Sequence, residues 1–166
     1  STGRIGRKLP IDKISAGIDT CAKALKHCPE QALQTSQAIL TSDTCEKNAT
    51  VTIQYQDKTF TLAGMAKGAG MIEPNMATML AFIVTDLEAS HASLQKYLSK
   101  ANAQTFNCIS IDGDMSTNDT VILLANGESG ESIDDNPILA QAFQKALTLI
   151  SEILAKKIVS DGEKIT

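Results

Sequence analysis

Apolar residues recur every three or four positions through Ile11, Ile14, Ile18, Cys21, Ala22 and Leu25. That spacing puts them on one face of a helix from about Ile11 to Ala24, with Pro10 suited to its first turn. Pro29 closes this unit and opens a second helix, roughly Glu30 to Ile39. The period then switches to two. Val51, Ile53 and Tyr55 alternate with polar residues, as do Phe60 and Leu62 beyond Gln56-Asp57-Lys58, which predicts a β-hairpin with one buried face. Gly64 to Gly70 reads as a loop leading into a buried strand, Met79 to Val84.

Farther along, an amphipathic helix is expected from Ser90 or His91 to about Ala103, with Leu94, Tyr97, Leu98 and Ala101 on one side. Cys108 to Ile111 and Thr120 to Ala125 read as strands around an acidic loop, and Asn126 to Asn136 as a polar surface loop. Pro137 to about Ile158 forms a long helix with Ile138, Leu139, Phe143, Leu147, Ile150 and Leu154 inward. Helices and strands intermix, with at least one antiparallel hairpin. The expected class is α/β, or α+β, built in layers.

Composition narrows the function more than the fold. A chain of 166 residues with 43% hydrophobic and 20% charged residues is an ordinary globular domain that can bury a core. No apolar run reaches membrane-spanning length and no secretory signal opens the chain, so the expected location is cytoplasmic. A net charge of −4 with scattered basic residues argues against nucleic acid as a partner. The four cysteines, Cys21, Cys28, Cys45 and Cys108, contain no Cys-x-x-Cys pair for zinc. Cys21 on the apolar stripe and Cys108 in a strand read as small buried hydrophobes, and nothing requires a Cys21–Cys28 disulfide. His27 and His91 lack convergent ligands and read as surface residues of helices.

The chemistry concentrates in Lys67-Gly68-Ala69-Gly70-Met71-Ile72-Glu73-Pro74-Asn75-Met76-Ala77-Thr78-Met79-Leu80. Glycines let backbone approach a ligand or take dihedrals a Cβ forbids. Thr78 follows small Ala77 after a Pro-Asn turn. Threonine is a weak nucleophile unless a base activates it, and one such base is its own α-amino group, freed by cutting the preceding peptide bond. The competing reading is a strand start whose hydroxyl bonds to backbone. Glu73, just ahead of this junction, has no role that the sequence supplies. Asp112-Gly113-Asp114 and Asn118-Asp119 lack the alternating ligands and terminal acid of a calcium loop. They read as a hydrogen-bonded turn supporting the site, and no metal is expected.

The string KGAGMIEPNMATMLAFIVTD resembles the cleavage-site signature of the ornithine acetyltransferase family. Ser1 to Gly6, Ile39 to Thr44, Ser110 to Thr120 and Asp161-Gly162-Glu163 resemble further family blocks in the same order. The resemblance implies a sandwich with helices on a mixed sheet, of the ornithine acetyltransferase/aminopeptidase type. It implies self-cleavage between Ala77 and Thr78, then acetyl transfer from N-acetylornithine to glutamate through Thr78. Thr2 and Gly3 match the oxyanion-hole donors. Thr41, Lys67 and Glu163 match substrate-binding positions, with Thr44 a competing alignment for Thr41. Ser42 stands where the family usually has a second Thr, Met115 where it usually has Thr, and Lys164-Ile165-Thr166 departs from the usual Gly-Ala-Thr-Lys.

The same resemblance implies a longer polypeptide, with sequence before Ser1 and after Thr166. Residues 1–77 would then be the C-terminal part of an α-chain and 78–166 the N-terminal part of a β-chain, assembling as a hetero-oligomer. No cofactor is needed for transfer between the two amino acids, and acetyl-CoA is the donor in members that also acetylate glutamate directly. Two other classes stay open: a related N-terminal-nucleophile amidohydrolase or aminopeptidase, and a catalytically inactive fragment.

Overall fold

The computed structural model describes residues 6–73, 79–114, 116 and 118–162. They fall into two units, Ser1–Thr35 and Ser36–Thr166. The first contains α1 (Ile11–Ala24) and most of α2 (Pro29–Ala38). α1 covers the expected residues but buries none of them. Ile11, Ile18 and Leu25 are exposed, and so is Cys21, contrary to the expectation of a buried thiol.

The second unit is a four-stranded sheet with helices. β1 (Lys47–Tyr55) and β2 (Lys58–Lys67) form the hairpin, in register from Tyr55 opposite Lys58 to Lys47 opposite Ala66. β3 (Leu80–Thr85) pairs antiparallel with β2, and β4 (Thr120–Ala125) pairs parallel with β3. Strand order is β1-β2-β3-β4. A parallel neighbour cannot be reached by a tight turn. The connection from β3 to β4 accordingly carries α3 (His91–Gln104), capped by Ser90, whose Oγ accepts the Ser93 N–H.

α4 (Pro137–Ser160) packs on β1, β2 and α3. Asn136 caps it through the Leu139 N–H, and Pro137 occupies the first turn, where its missing N–H costs nothing. By length and composition this helix could cross a membrane, which the search for apolar runs did not foresee. Its inner stripe, Leu139, Phe143, Leu147, Ile150, Leu154 and Ile158, is instead fully buried against Phe60, Leu62 and Ile83 of the sheet and its other core neighbours. Burial of that kind is worth about 1.5–3 kcal/mol per large side chain. Ile138, expected inward, is 66% exposed because it lies off that stripe.

Two boundaries differ from the sequence reading. Gly64, Met65, Ala66 and Lys67 belong to β2 rather than to a loop. A Cβ on Gly64 would sit 3.0 Å from Leu154 Cδ1 and 3.3 Å from the Phe82 carbonyl oxygen, so the glycine marks close approach of α4 and not a turn. Cys108 to Ile111 is not a strand. Phe106–Cys108 is a single 3-10 turn that buries Phe106, and Cys108 is exposed.

Candidate active site

Lys67 is the last residue of β2 and pairs with Leu80, the first of β3. It is only 8% exposed, and its Nζ donates to Thr41 Oγ1 at 3.2 Å. Thr44 faces elsewhere. Its backbone N–H and hydroxyl both donate to the Asp161 carboxylate. The structure therefore brings Thr41, and not Thr44, to the lysine.

A buried ion cluster holds the Thr41 loop in place. Lys47, fully buried, donates to Asp43 Oδ1 at 2.7 Å, to Asp161 Oδ2 at 2.6 Å and to the Cys45 carbonyl at 3.2 Å. Asp43 also accepts the Thr41 N–H at 3.2 Å and the Gly68 N–H at 2.6 Å. Burial alone would raise the Asp43 carboxyl. The Lys47 ammonium and the two amides outweigh that and hold it below its ordinary range. Burial likewise opposes ionisation of Asp161, but Lys47 and Thr44 bring it down to about 2. Lys47 is disfavoured by burial and held protonated by both carboxylates. Three charges are thus fixed directly behind Thr41 and Lys67.

A second network spans the junction segment. Asp112 accepts the Met71 N–H at 2.6 Å, the Ile72 N–H at 3.0 Å and the Asp114 N–H at 3.3 Å. The Ile111 N–H donates to the Ile72 carbonyl at 2.8 Å, and Ser110 Oγ donates to Glu73 Oε2 at 2.6 Å. Beyond the segment, Asp119 accepts the Met79 N–H and the Thr120 N–H donates to the Met79 carbonyl, each at 3.1 Å. Residues 110–120 thereby grip residues 71–73 on one side and 79 on the other. The acidic loop is hydrogen-bonded, as expected, and Glu73 gains a partner that the sequence did not supply. Met71 takes a φ of 58°, a left-handed value uncommon outside glycine, and its N–H points to Asp112.

Asp119 differs from the other carboxylates. Burial raises its pKa to about 6, against the downward pull of the Met79 N–H and the Lys67 charge. Thr78 and Ala77, with Thr2, Gly3 and Glu163, lie outside the described residues. Among the described residues no group of His, Cys, Asp and Glu is arranged to hold a metal ion.

Sequence reasoning missed Lys47 and gave Asp119 only a share in a supporting turn. Lys47 had a signal: it shares the inward phase of β1 with Val51, Ile53 and Tyr55, where a lysine needs buried partners. Asp119 had its place in that turn, immediately before a strand, and nothing that pointed to its burial.

Fold and site together define an α+β protein in which a buried lysine at the end of β2 meets a threonine hydroxyl, and residues 110–112 and 119–120 hold residues 71–73 and 79. The chain belongs to the ArgJ family, whose family model matches residues 1–166. It is 46% identical, over its whole length, to the mitochondrial arginine biosynthesis bifunctional protein ArgJ of Meyerozyma guilliermondii, covering 39% of that protein. It is 47% identical over 98% of its length to glutamate N-acetyltransferase of Methanococcus maripaludis, covering 40% of it. The crystal structure of the Bacillus halodurans arginine biosynthesis bifunctional protein argJ matches with 45% identity over 51% of this chain and 40% of that one, at a TM-score of 0.48. The chain spans about two fifths of the length of the curated relatives it matches.

Proposed function

We propose that this chain is part of a self-processing acyltransferase that moves an acetyl group from N-acetylornithine to glutamate, yielding ornithine and N-acetylglutamate. The observation that carries this reading is the Lys67–Thr41 pair, 3.2 Å apart, at the end of β2 opposite the start of β3. The relatives named for arginine biosynthesis and glutamate N-acetylation supply the substrate class. Both proposed substrates carry an α-carboxylate. An ammonium held by a buried scaffold pairs with such a group and keeps it in register.

In this reading the Thr78 hydroxyl first attacks the Ala77 carbonyl carbon. The Ala77–Thr78 amide becomes an ester, and water cleaves it to leave an N-terminal Thr78. The freed α-amine then accepts the hydroxyl proton while the hydroxyl takes the acetyl group from N-acetylornithine, releasing ornithine. The amine of glutamate attacks the acetyl ester and restores the threonine. Thr2 and Gly3 donate to the oxyanion in each tetrahedral state, the kind of contact worth about 10²–10³ in rate. Glu163 receives the ornithine side-chain amine. No cofactor enters this cycle, and acetyl-CoA is an alternative donor for direct acetylation of glutamate. The two chains made by the cut stay together as a hetero-oligomer. We place the reaction in the cytoplasm, although fungal relatives are named mitochondrial.

Initial-rate kinetics of the full-length protein test the reading. Transfer should follow ping-pong kinetics, with ornithine release beyond the first turnover dependent on glutamate. Release of acetate at a rate indifferent to glutamate would place the protein among amidohydrolases instead.

A further inference from the structure

Asp119 has no part in the cycle just described, yet its carboxylate accepts the backbone N–H of Met79, the residue that follows Thr78. Met79 is held on both sides of its backbone, its N–H by Asp119 Oδ1 and its carbonyl by the Thr120 N–H, each at 3.1 Å. The β3–β4 ladder begins one residue later, where Leu80 pairs with Thr120. Ladder geometry therefore accounts for the carbonyl contact. The N–H contact is an addition made by a side chain.

That addition matters because of what the N–H belongs to. The Met79 amide is part of the peptide unit that joins residue 79 to residue 78. A peptide unit is planar, so an acceptor that holds its N–H restricts rotation of the whole unit. Asp119 also sits close enough to Lys67 for its charge to be felt. One carboxylate thus touches the junction backbone and the electrostatics of the candidate substrate lysine. A cavity of about 180 Å³ opens beside it, lined by Met79, Asn102, Phe106, Asn107, Asp119 and Thr120, with Val121 completing the wall. Beside that cavity the Asp119 carboxylate is held toward the backbone by its hydrogen bond from the Met79 N–H.

We infer that Asp119 is a positioning residue, which fixes the peptide after Thr78 and so aims the nucleophile in self-cleavage and in acetyl transfer. The inference rests on the proposed role of Thr78. It requires an acceptor oxygen at this position and not a negative charge. Asparagine supplies that oxygen in nearly the same place, whereas alanine removes it.

The test uses the full-length precursor in three forms: wild type, Asp119→Ala and Asp119→Asn. Intact mass gives the processed fraction with time, and steady-state kinetics give kcat and KM for N-acetylornithine. Asp119→Ala should slow processing and lower kcat by about tenfold or more, the effect of leaving the buried Met79 N–H without its acceptor, while KM stays within about twofold. Asp119→Asn should restore both rates to within about threefold of wild type. If Asp119→Ala processes and turns over as wild type does, the inference is overturned. Equal impairment of both variants overturns it too, because the charge or the general fold would then be what matters. Should Asp119→Ala fail to fold, Asp119→Asn decides: near-wild-type kcat supports the inference and a tenfold loss refutes it. Failure of the functional reading looks different. A wild-type precursor that cuts itself but transfers no acetyl group removes that reading, and the processing rates still judge Asp119.

Discussion

Lys47 and Asp161 stand 114 residues apart in the chain, and the lysine Nζ lies 2.6 Å from the aspartate Oδ2 with neither side chain more than 5% exposed. The contact ties the C-cap of α4 to the first residue of β1. Through Asp43, which shares the same ammonium, it reaches the Thr41 and Gly68 amides. The cluster is thus the floor on which the Thr41–Lys67 pair stands.

Removing the lysine leaves two buried carboxylates facing each other. Lys47→Met should destabilise the protein by about 3–5 kcal/mol, the usual consequence of breaking a buried ion pair from one side. The midpoint and slope of urea unfolding give this value directly. A change below about 1 kcal/mol would mean that the cluster is dispensable.

Acid should reveal the same cluster. Asp161 titrates at about 2 in the folded protein against an ordinary value of 3.8, and Asp43 is lowered as well. A folded pKa below the unfolded one means stability that is complete above the unfolded value and is lost as pH falls through the folded one. Asp161 alone accounts for about 2 kcal/mol, lost between pH of about 4 and 2. Unfolding free energies measured across that window should fall, and in Asp161→Asn the fall should be smaller.

Gly64→Ala tests the approach of α4 to the sheet. The new methyl would press on Leu154 Cδ1 and, less yieldingly, on the Phe82 carbonyl. We expect a loss of about 1–3 kcal/mol, the range for overpacking a filled core. Thermal unfolding of the variant measures it.

Much of this fold was legible. Period and punctuation located α1, α2, the hairpin, β3, α3, β4 and α4, and in α3 and α4 the apolar spacing and the Ser90 and Asn136 caps agree with the tertiary structure. Gly64 misled because a glycine in a strand can mark close packing as readily as a turn. Cys108 to Ile111 does not form the strand expected of it, and no neighbouring strand pairs with it in the described sheet. The segment supports residues 71–73 instead. Cys21 lay on an apolar stripe that the described chain leaves exposed, so periodicity alone did not predict burial. At the site, Thr41 and Lys67 came from resemblance, and in the structure Lys67 donates to Thr41 while Thr44 bonds to Asp161. In the cluster behind them only the inward phase of Lys47 was a signal; Asp161, 114 residues farther on, reaches it through tertiary contact.

Lys67→Met should raise KM for N-acetylornithine and for glutamate by about ten- to a hundredfold, as expected for loss of a hydrogen bond to a charged group. Thr41→Val removes only the hydroxyl that Lys67 donates to, and should cost less. Steady-state kinetics with each substrate varied in turn separates the two effects. An unchanged KM in Lys67→Met would remove the lysine from the substrate site.

The central claim is that acetyl passes through Thr78. The most direct measurement is the mass of the fragment beginning at Thr78, taken from the full-length protein after a brief exposure to N-acetylornithine without glutamate. The account predicts that this fragment exists, carries one acetyl group on Thr78, and loses it when glutamate is added. A chain that remains uncut, or a cut chain that turns over without ever carrying acetyl on Thr78, would contradict it.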